Sequence, residues 1–473
     1  MLIAGELVDA EGGRTLESVN PATEEVVGQV PDASAKDVER AVQAAHGASA
    51  EWAALTWAKR ASVLRDFAAV VRENADELAD LDVIDSGNPI TSMRADVASA
   101  ADDIDYFAGI SSELKGETIP SGPDAYTLTE FEPYAVVGRI VPFNHPFKFG
   151  AAKSAGPLAA GCPVVLKPGE ETSLSAMRMG ELVRDIFPAG VFNVVTGTGR
   201  GAGAALAGHP GVPRIAFTGS VPTGRAVAQL GLGSFKHVTL ELGGKNPFIV
   251  FPDVDIPAAA DGALRAMNLA RSMGQSCGST SRVLVHESIC REFVAELVKG
   301  ASRLRVGDPT DPDTQMGPLA FKRQYDKVVG YVGKGVAEGA DLAYGGDRPA
   351  GMDRGYFLQP TVFTNVTPDM TIAREEIFGP VMSVMSWSDE DEMIDLANAT
   401  DFGLTANIWT NDISVALRTA RRVQAGYVSV NGTGKRPAGA PFGGIKDSGY
   451  GKEGSLSELQ SYGRFKSTTI TIH

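Results

Sequence analysis

The chain has 473 residues, 43% of them hydrophobic and 21% charged, a balance that fits an ordinary folded protein and a length that predicts two or three domains. Its net charge of −15 repels phosphate backbones and anionic membranes, which argues against nucleic acid or a membrane surface as partner. No apolar run approaches the roughly 18 residues that span a bilayer, and the N-terminus lacks the basic-then-apolar pattern of an export signal. Cys162, Cys277 and Cys290 are odd in number and widely spaced, and the six histidines do not cluster. The expectation is a cytoplasmic protein with neither disulfides nor metal.

Residues up to about Thr118 read as largely helical. Ser34 with Asp37 forms a capping-box pattern, followed by Val38, Ala41, Val42 and Ala45 at helical spacing. Lys59 to Asp85 continues in the same way. From Ala135 the pattern changes to short apolar runs alternating with helical segments. Ala135–Val141, Pro163–Lys167, Val191–Val195, Pro213–Phe217 and His237–Leu242 predict strands. Phe147–Ala160, Ser173–Ile186, Gly201–Gly208 and Val221–Leu230 predict helices between them. This alternation marks a parallel, doubly wound α/β sheet, the kind that binds nucleotides at the carboxyl ends of its strands. A second βα series begins near Pro247 and suggests a separate domain. The tail, Ser467–His473, alternates Thr and Ile and predicts a strand with no hairpin partner nearby, free to pair with another subunit.

Cys277 lies in a Gly-rich polar loop, Gly274-Gln275-Ser276-Cys277-Gly278-Ser279, where a thiol can be partly exposed and reactive. Cys162, just before a strand, and Cys290, on a helix face, read as inert apolar residues. Glu241 ends a strand and precedes two glycines that permit close approach to the backbone. Taken alone it serves equally as a helix cap or as the partner of Lys245. Asn144, held between Pro142 and Pro146, is either a turn-former or a donor to a developing oxyanion. His145 reads as a space-filling ring, because no carboxylate is positioned by sequence to orient it. Lys167 and Glu170 follow a strand and suit a ribose or phosphate. Gly219-Ser220 opens a helix whose free N–H groups can face a pyrophosphate.

Together these segments resemble the aldehyde dehydrogenase superfamily, over nearly the whole chain and in the family's order. Pro142 to Pro146 is similar to its Pro-Trp-Asn-Phe-Pro, Lys167 to Glu170 to its Lys-Pro-(Ala/Ser)-Glu, and Phe217 to Ser220 to its Phe-Thr-Gly-Ser. Glu241 to Gly244 matches Glu-Leu-Gly-Gly, and Cys277 sits in Gly-Gln-x-Cys. Glu375 to Pro380 and Pro441 to Gly444 complete the set. The resemblance implies a Rossmann-like cofactor domain (residues 1–114 and 135–244), an α/β catalytic domain (245–447) and a β-ribbon for oligomerisation (115–134 and 458–473). It implies NAD(P)-dependent oxidation of an aldehyde in a homodimer or homotetramer. Cys277 would be the nucleophile, and Asn144 with the Cys277 N–H the oxyanion hole. Glu241 would be the base for the deacylating water, and Lys153 a proton relay. Lys167 and Glu170 would hold the adenosine ribose. Phe143, Gly199, Gly203, Phe217, Gly219, Ser220 and Leu242 would line the dinucleotide site, with Glu376 and Phe378 near the nicotinamide ribose. The alternatives are a CoA-acylating relative, which usually lacks the glutamate base, and an inactive structural relative.

Phe143 stands where the family usually has Trp, and His145 where it has an apolar aromatic; both put pocket shape in question. The gap from Glu241 to Cys277 is slightly longer than is common, a loop difference. Glu170 would oppose a 2′-phosphate, so NAD is expected over NADP. The substrate pocket is expected to include Ala152, His145, Ser276, Gly278 and Phe442. With Ala152 small, aromatic or medium-chain aldehydes should outperform acetaldehyde. Succinate semialdehyde should be poor unless Lys435 or Arg436 reaches its carboxylate.

Overall fold

The computed structural model describes residues 1–433 and 436–472. The first 31 residues depart from the expected helical opening and form four short strands, β1 (Leu2–Ile3), β2 (Glu6–Leu7), β3 (Thr15–Asn20) and β4 (Glu25–Pro31). β1 and β2 are too short to display a period of two, and β1 pairs both with β2 and with a strand about 190 residues away. Helix begins at Ser34. Its hydroxyl accepts from the Lys36 and Asp37 N–H groups, while Asp37 accepts from the Ser34 N–H, a complete capping box. Helix α1 (Ala35–Ala54) then buries Val38, Ala41, Val42 and Ala45. The stretch read as continuous from Lys59 to Asp85 is two helices, α2 (Trp57–Glu73) and α3 (Ala75–Ser86). The break is at Asn74, whose side-chain amide donates back to the Val70 carbonyl and competes with the main-chain ladder. The long helix α4 (Ile90–Ile110) closes this layer.

After β5 (Thr118–Pro120) and β6 (Ala125–Pro133), strand and helix alternate through β7 (Val137–Ile140), α5 (Pro146–Ala160), β8 (Val164–Lys167), α6 (Leu174–Val183), β9 (Phe192–Val194), α7 (Ala204–Gly208), β10 (Arg214–Thr218), α8 (Val221–Leu232) and β11 (His237–Glu241). The second series runs β12 (Pro247–Val250), α9 (Ile256–Ala266), α10 (Leu269–Ser272), β13 (Arg282–His286), α11 (Glu287–Ala301), α12 (Lys322–Ala337), β14 (Asp341–Tyr344), β15 (Thr361–Thr364), β16 (Val381–Trp387), β17 (Thr405–Trp409) and β18 (Tyr427–Val430). Two more strands, β19 (Gly449–Tyr450) and β20 (Gly463–Thr471), end the chain.

The first sheet has the order β19-β11-β10-β7-β8-β9-β1-β2, and the second β14-β15-β16-β13-β12-β17-β18. In the first, β7 to β11 are mutually parallel, giving a doubly wound, Rossmann-like layer. Its strands are buried on both faces, so they read as unbroken apolar runs. Val164 and Leu166 pack toward α2–α6, whereas Val165 packs on the other face with α1, α7 and α8. A separate apolar core surrounds the second sheet. The terminal strand does have a partner in its own chain: β20 pairs antiparallel with β6 along nine residues, from Gly463 opposite Pro133 to Thr471 opposite Ala125. A partner so distant in sequence leaves no local turn signal. Among the described residues no helix is long and apolar enough to cross a membrane.

The capping box gives a direct test of why helix starts at residue 34. Ser34→Ala should cost about 1 kcal/mol and lower the melting midpoint, while Ser34→Asp should largely retain it; circular-dichroism melts decide this.

Candidate active site

The register of the first sheet aligns the candidate residues. Ile140 at the end of β7 lies opposite Lys167 and Phe217, and Thr218 lies opposite Glu241. A cavity of about 380 Å³ opens over these strand ends and reaches Cys277. The turn after β7 delivers Asn144, which is buried. Its side-chain Nδ2 donates to the Gln275 carbonyl at 2.9 Å, leaving the second N–H of the amide, and its Oδ1 has no partner among the described residues. Asn88, not singled out by sequence, fixes this turn by donating to the Asn144 main-chain carbonyl at 2.9 Å.

The segment joining β11 to β12 shapes everything around the thiol. Asn246 donates to the carbonyls of Cys277 (2.7 Å) and Ser279 (2.9 Å) and accepts from the Thr405 N–H at 3.0 Å. Gly244 faces the Cys277 carbonyl so closely that a Cβ would lie 2.5 Å from it. The Cys277 thiol is half-buried. Burial and the neighbouring Glu241 carboxylate raise its pKa well above the ordinary thiol value. Glu241 is 3% exposed, and its Oε1 is a buried acceptor without a partner among the described residues. Burial pushes its carboxyl up, against the pull of Lys153, whose Nζ stands 3.9 Å from Oε2.

Lys153, on α5, also donates to Thr218 Oγ1 at 2.9 Å and to Glu453 Oε2. Glu453 in turn accepts from buried Arg139 at 2.6 Å. Burial disfavours the Glu453 carboxylate, but Arg139 and Lys153 outweigh it and hold the pKa down at about 2. Sequence reading missed both residues. Arg139 looks like an interruption in an apolar strand, and Glu453 is one acidic residue in a Gly-rich stretch. Only their meeting across 314 positions gives them a role.

On the far side of the cavity, Glu170 accepts from the Gly199 N–H at 2.6 Å, where a single π-turn (Gly199–Gly203) leads into α7. Arg323 Nη2 lies 3.9 Å from Glu170 and 2.6 Å from Glu171. Lys167 is buried beside them, its pKa lowered by burial and pulled back by Glu170. Gly219 donates to the Glu241 carbonyl at 3.1 Å, and a Cβ there would strike the Phe217 ring at 2.5 Å. It leads through Ser220 into the start of α8, where N–H groups lack carbonyl partners. Leu242 is buried under α8, close to Gly224.

Glu376 is half-buried; its desolvation pushes its carboxyl to about 6, and it accepts from the Gly244 N–H at 2.8 Å. Gly243 leaves room for it, since a Cβ would fall 2.2 Å from its Oε2. Phe143 meets Phe378 and Phe321 edge-on at 5.7 and 4.9 Å; Phe321 was not anticipated. A cavity lined by Glu170, Glu376 and the start of α8 has the donors and acceptors that a dinucleotide needs. The two ribose ends would meet Glu170 and Glu376, and the diphosphate the start of α8.

His145, Ala152, Ser276, Gly278 and Phe442 lie outside the wall of this cavity. His145 is no passive filler: its Nδ1 meets Asp96 Oδ2 at 2.5 Å, a carboxylate brought from α4, 49 positions earlier. Ala152 is 7% exposed and packs into the helical core. Ser276 Oγ accepts weakly from the Gly278 N–H (3.4 Å). Phe442 pairs its backbone with Glu453, and Arg436 stacks over its ring at 4.8 Å. Lys435 lies outside the described residues. Cys162 is fully buried, donates to the Tyr462 carbonyl at 3.0 Å, and is pushed to about 12 by burial.

A model of the aldehyde dehydrogenase family matches residues 7–468. An aldehyde dehydrogenase, tropH, of Talaromyces stipitatus is 45% identical over 96% of this chain and 90% of its own. The NAD+ complex of an aldehyde dehydrogenase from Bacillus cereus superposes with a TM-score of 0.97 at 40% identity, covering 100% of this chain and 96% of the other. An NADP-dependent enzyme of E. coli superposes with a TM-score of 0.96 at 35% identity, over 100% and 98% of the two chains.

The thiol environments can be tested without substrate. Iodoacetamide should modify Cys277 with a midpoint above the ordinary thiol value of 9.0, and should reach Cys162 only after denaturation. Peptide mass spectrometry against pH decides it. Rapid labelling of Cys277 at pH 7 would contradict the electrostatics described.

Proposed function

The chain belongs to the aldehyde dehydrogenase family, enzymes that use NAD(P) to oxidise small aldehydes, and from that premise we propose a mechanism for it. Its substrate becomes a carboxylic acid by way of a thioester on Cys277, hydrolysed by water that Glu241 activates. The observation that carries this reading is the buried Glu241 carboxylate beside the Cys277 thiol, with Asn144 held by the carbonyl of Gln275 in the same loop.

An aldehyde has no leaving group, so its carbon must become tetrahedral first. The Cys277 thiol gives its proton up to water, and the sulfur attacks the carbonyl carbon, leaving Glu241 ionised for the later step. The oxygen develops charge toward the free N–H of Asn144 and the Cys277 main-chain N–H; one such donor is worth roughly 3 kcal/mol. When bound, the nicotinamide supplies the hydride acceptor. Glu241 then takes a proton from water as the water attacks the thioester. Lys153 and Glu453 form a chain of donors and acceptors through which that proton can leave. Transfer of the acyl group to a thiol such as CoA would need no such base, and the buried Glu241 favours water.

We assign residues 1–114 and 135–244 to the cofactor domain, 245–447 to the catalytic domain, and 115–134 with 458–473 to an assembly ribbon. Exposed Tyr126, Leu128, Phe465 and Ile470 on β6 and β20 would be covered in a homodimer or homotetramer. A reducing cytoplasm suits three unpaired thiols. For the substrate we favour an aromatic or medium-chain body.

Cys277→Ala should abolish oxidation while cofactor still binds; Cys162→Ala should keep most activity in the folded enzyme. Glu241→Gln should give a burst of NADH and then turnover slower by a factor on the order of 10² to 10⁴. Because the Glu241 pKa is raised, the base is ionised only above the ordinary carboxylate range. Turnover should therefore fall as pH drops through a midpoint above 4.5, and Glu241→Gln should lose that limb. Stopped-flow NADH absorbance across pH reads both.

We also propose NAD as the preferred cofactor. A 2′-phosphate near Glu170 would meet two carboxylates, Glu170 and Glu171, with Arg323 and Lys167 only partly offsetting them. At an effective dielectric of about 20 the repulsion amounts to a few kcal/mol. NAD should exceed NADP in kcat/KM, and Glu170→Ala should narrow the gap. A higher kcat/KM with NADP in the unmodified enzyme would sink this reading.

A further inference from the structure

A charged cluster next to the oxyanion side of the site takes no part in the steps above. Asp96, on α4, is fully buried. Its Oδ2 takes His145 Nδ1, and its Oδ1 takes Lys148 Nζ at 3.4 Å and Arg271 Nη2. These residues come from α4, the start of α5 and α10. Burial disfavours the Asp96 carboxylate, yet the three partners hold it well below the usual carboxylate range. Burial lowers His145 despite Asp96, with Arg271 and Lys148 also opposing its charge. It lowers Lys148 as well, against the pull of Asp96 and of Asp103 further along α4.

The acceptor in this cluster is saturated and one of its donors is not. Three groups converge on the two oxygens of Asp96. Arg271 carries five N–H donors in a planar fork, and among the described residues the hydrogen bond to Asp96 is the one it makes. Its side chain is 45% exposed. Asp96 therefore holds Arg271 in a fixed pose and leaves most of its fork open to something else. The cost of burying the Asp96 carboxylate is offset by its three partners.

The cluster's position says which ligand. His145 directly follows Asn144, and α10 leads into the Cys277 loop, whose Gln275 carbonyl holds the Asn144 amide. His145 lies edge-on to Phe149 at 5.3 Å, and Phe149 lines the cavity that reaches Cys277. The dinucleotide must occupy that cavity for hydride to leave the substrate carbon. His145 follows Asn144 and Arg271 precedes the Cys277 loop, so the cluster stands beside the two segments that frame the thiol.

We infer that the aldehyde carries a carboxylate at its far end, bound by the open fork of Arg271 with Lys148 and His145 arranged about Asp96. This rests on the proposed oxidation at Cys277 and narrows its substrate class from a neutral aromatic or medium-chain aldehyde to an acidic one. A carboxylate matches the guanidinium geometry bidentately, whereas an apolar end would leave that donor facing an apolar group.

Matched pairs of aldehydes test it: 4-formylbenzoate against 4-methylbenzaldehyde, and succinate semialdehyde against pentanal, at saturating NAD. In the unmodified enzyme the acidic member of at least one pair should lead in kcat/KM by about tenfold or more, through KM. Arg271→Met should collapse that ratio about tenfold, and Arg271→Lys should keep part of it. Because Arg271 is half exposed, both variants should fold, and their melting midpoints verify this. Equal kcat/KM within both pairs, or a ratio unmoved by both Arg271→Met and Lys148→Met, overturns the inference while leaving oxidation at Cys277 intact. No turnover of any aldehyde by a folded enzyme that binds NAD overturns the reading beneath it as well.

Discussion

Lys153 is one ammonium shared between two buried carboxylates, and the rest of the site is arranged around that imbalance. Its Nζ is bonded to Glu453 and stands 3.9 Å from Glu241. Two unit charges about 4 Å apart interact by about 4 kcal/mol at an effective dielectric near 20, so the carboxylate that the ammonium sits closer to is the one that stays ionised. Arg139 reinforces the choice by pairing with Glu453 alone. Glu453 is thereby held as an anion, whereas burial, with the Glu453 charge nearby, raises Glu241 against a weaker pull from Lys153. A buried acid with an orphaned oxygen next to a thiol is poorly tolerated by a protein interior unless it has work there.

The six residues from Glu241 to Asn246 bring the two sheets and the thiol to one place. Glu241 ends β11 of the first sheet, and β12 of the second begins at Pro247. Between them, Gly243 admits the Glu376 carboxylate, Gly244 admits the Cys277 carbonyl, and Asn246 pins the Cys277 loop from both sides. The Glu241 carboxylate, the Cys277 backbone and the Glu376 carboxylate are thus positioned by one connection. A side chain at either glycine would displace a functional group rather than fill empty space, which is the physical reason for a Gly-Gly pair at the end of a buried strand.

Much of this was legible from the residues in order, for local reasons. Ser34 and Asp37 announce a helix start because capping is satisfied within four residues. The strands β7 to β11 show as apolar runs because both faces are covered. Cys277 and Asn144 stand in loops and Glu241 at a strand end, and the small and rigid neighbours that mark them are themselves local. Where reading failed, the determining contact was remote. Strand β1 pairs with β9 about 190 residues on as well as with its neighbour β2, and the partner of the tail strand in its own chain, β6, is too remote to leave a turn signal. His145 passed for a ring filling space because Asp96 sits on another helix.

The sequence by itself determined which strands of the first sheet are buried, where the first helix begins, and which thiol, carboxylate and amide stand beside small or rigid neighbours. Those properties follow from periodicity, capping and turn chemistry, which act over a few residues. The tertiary structure alone decided the protonation of that chemistry: which acid keeps its charge, through Arg139 and Glu453, and what the guanidinium of Arg271 is free to bind, through Asp96. Burial and Coulomb interaction depend on distance in space, and partners separated by tens to hundreds of positions leave no periodic trace along a chain.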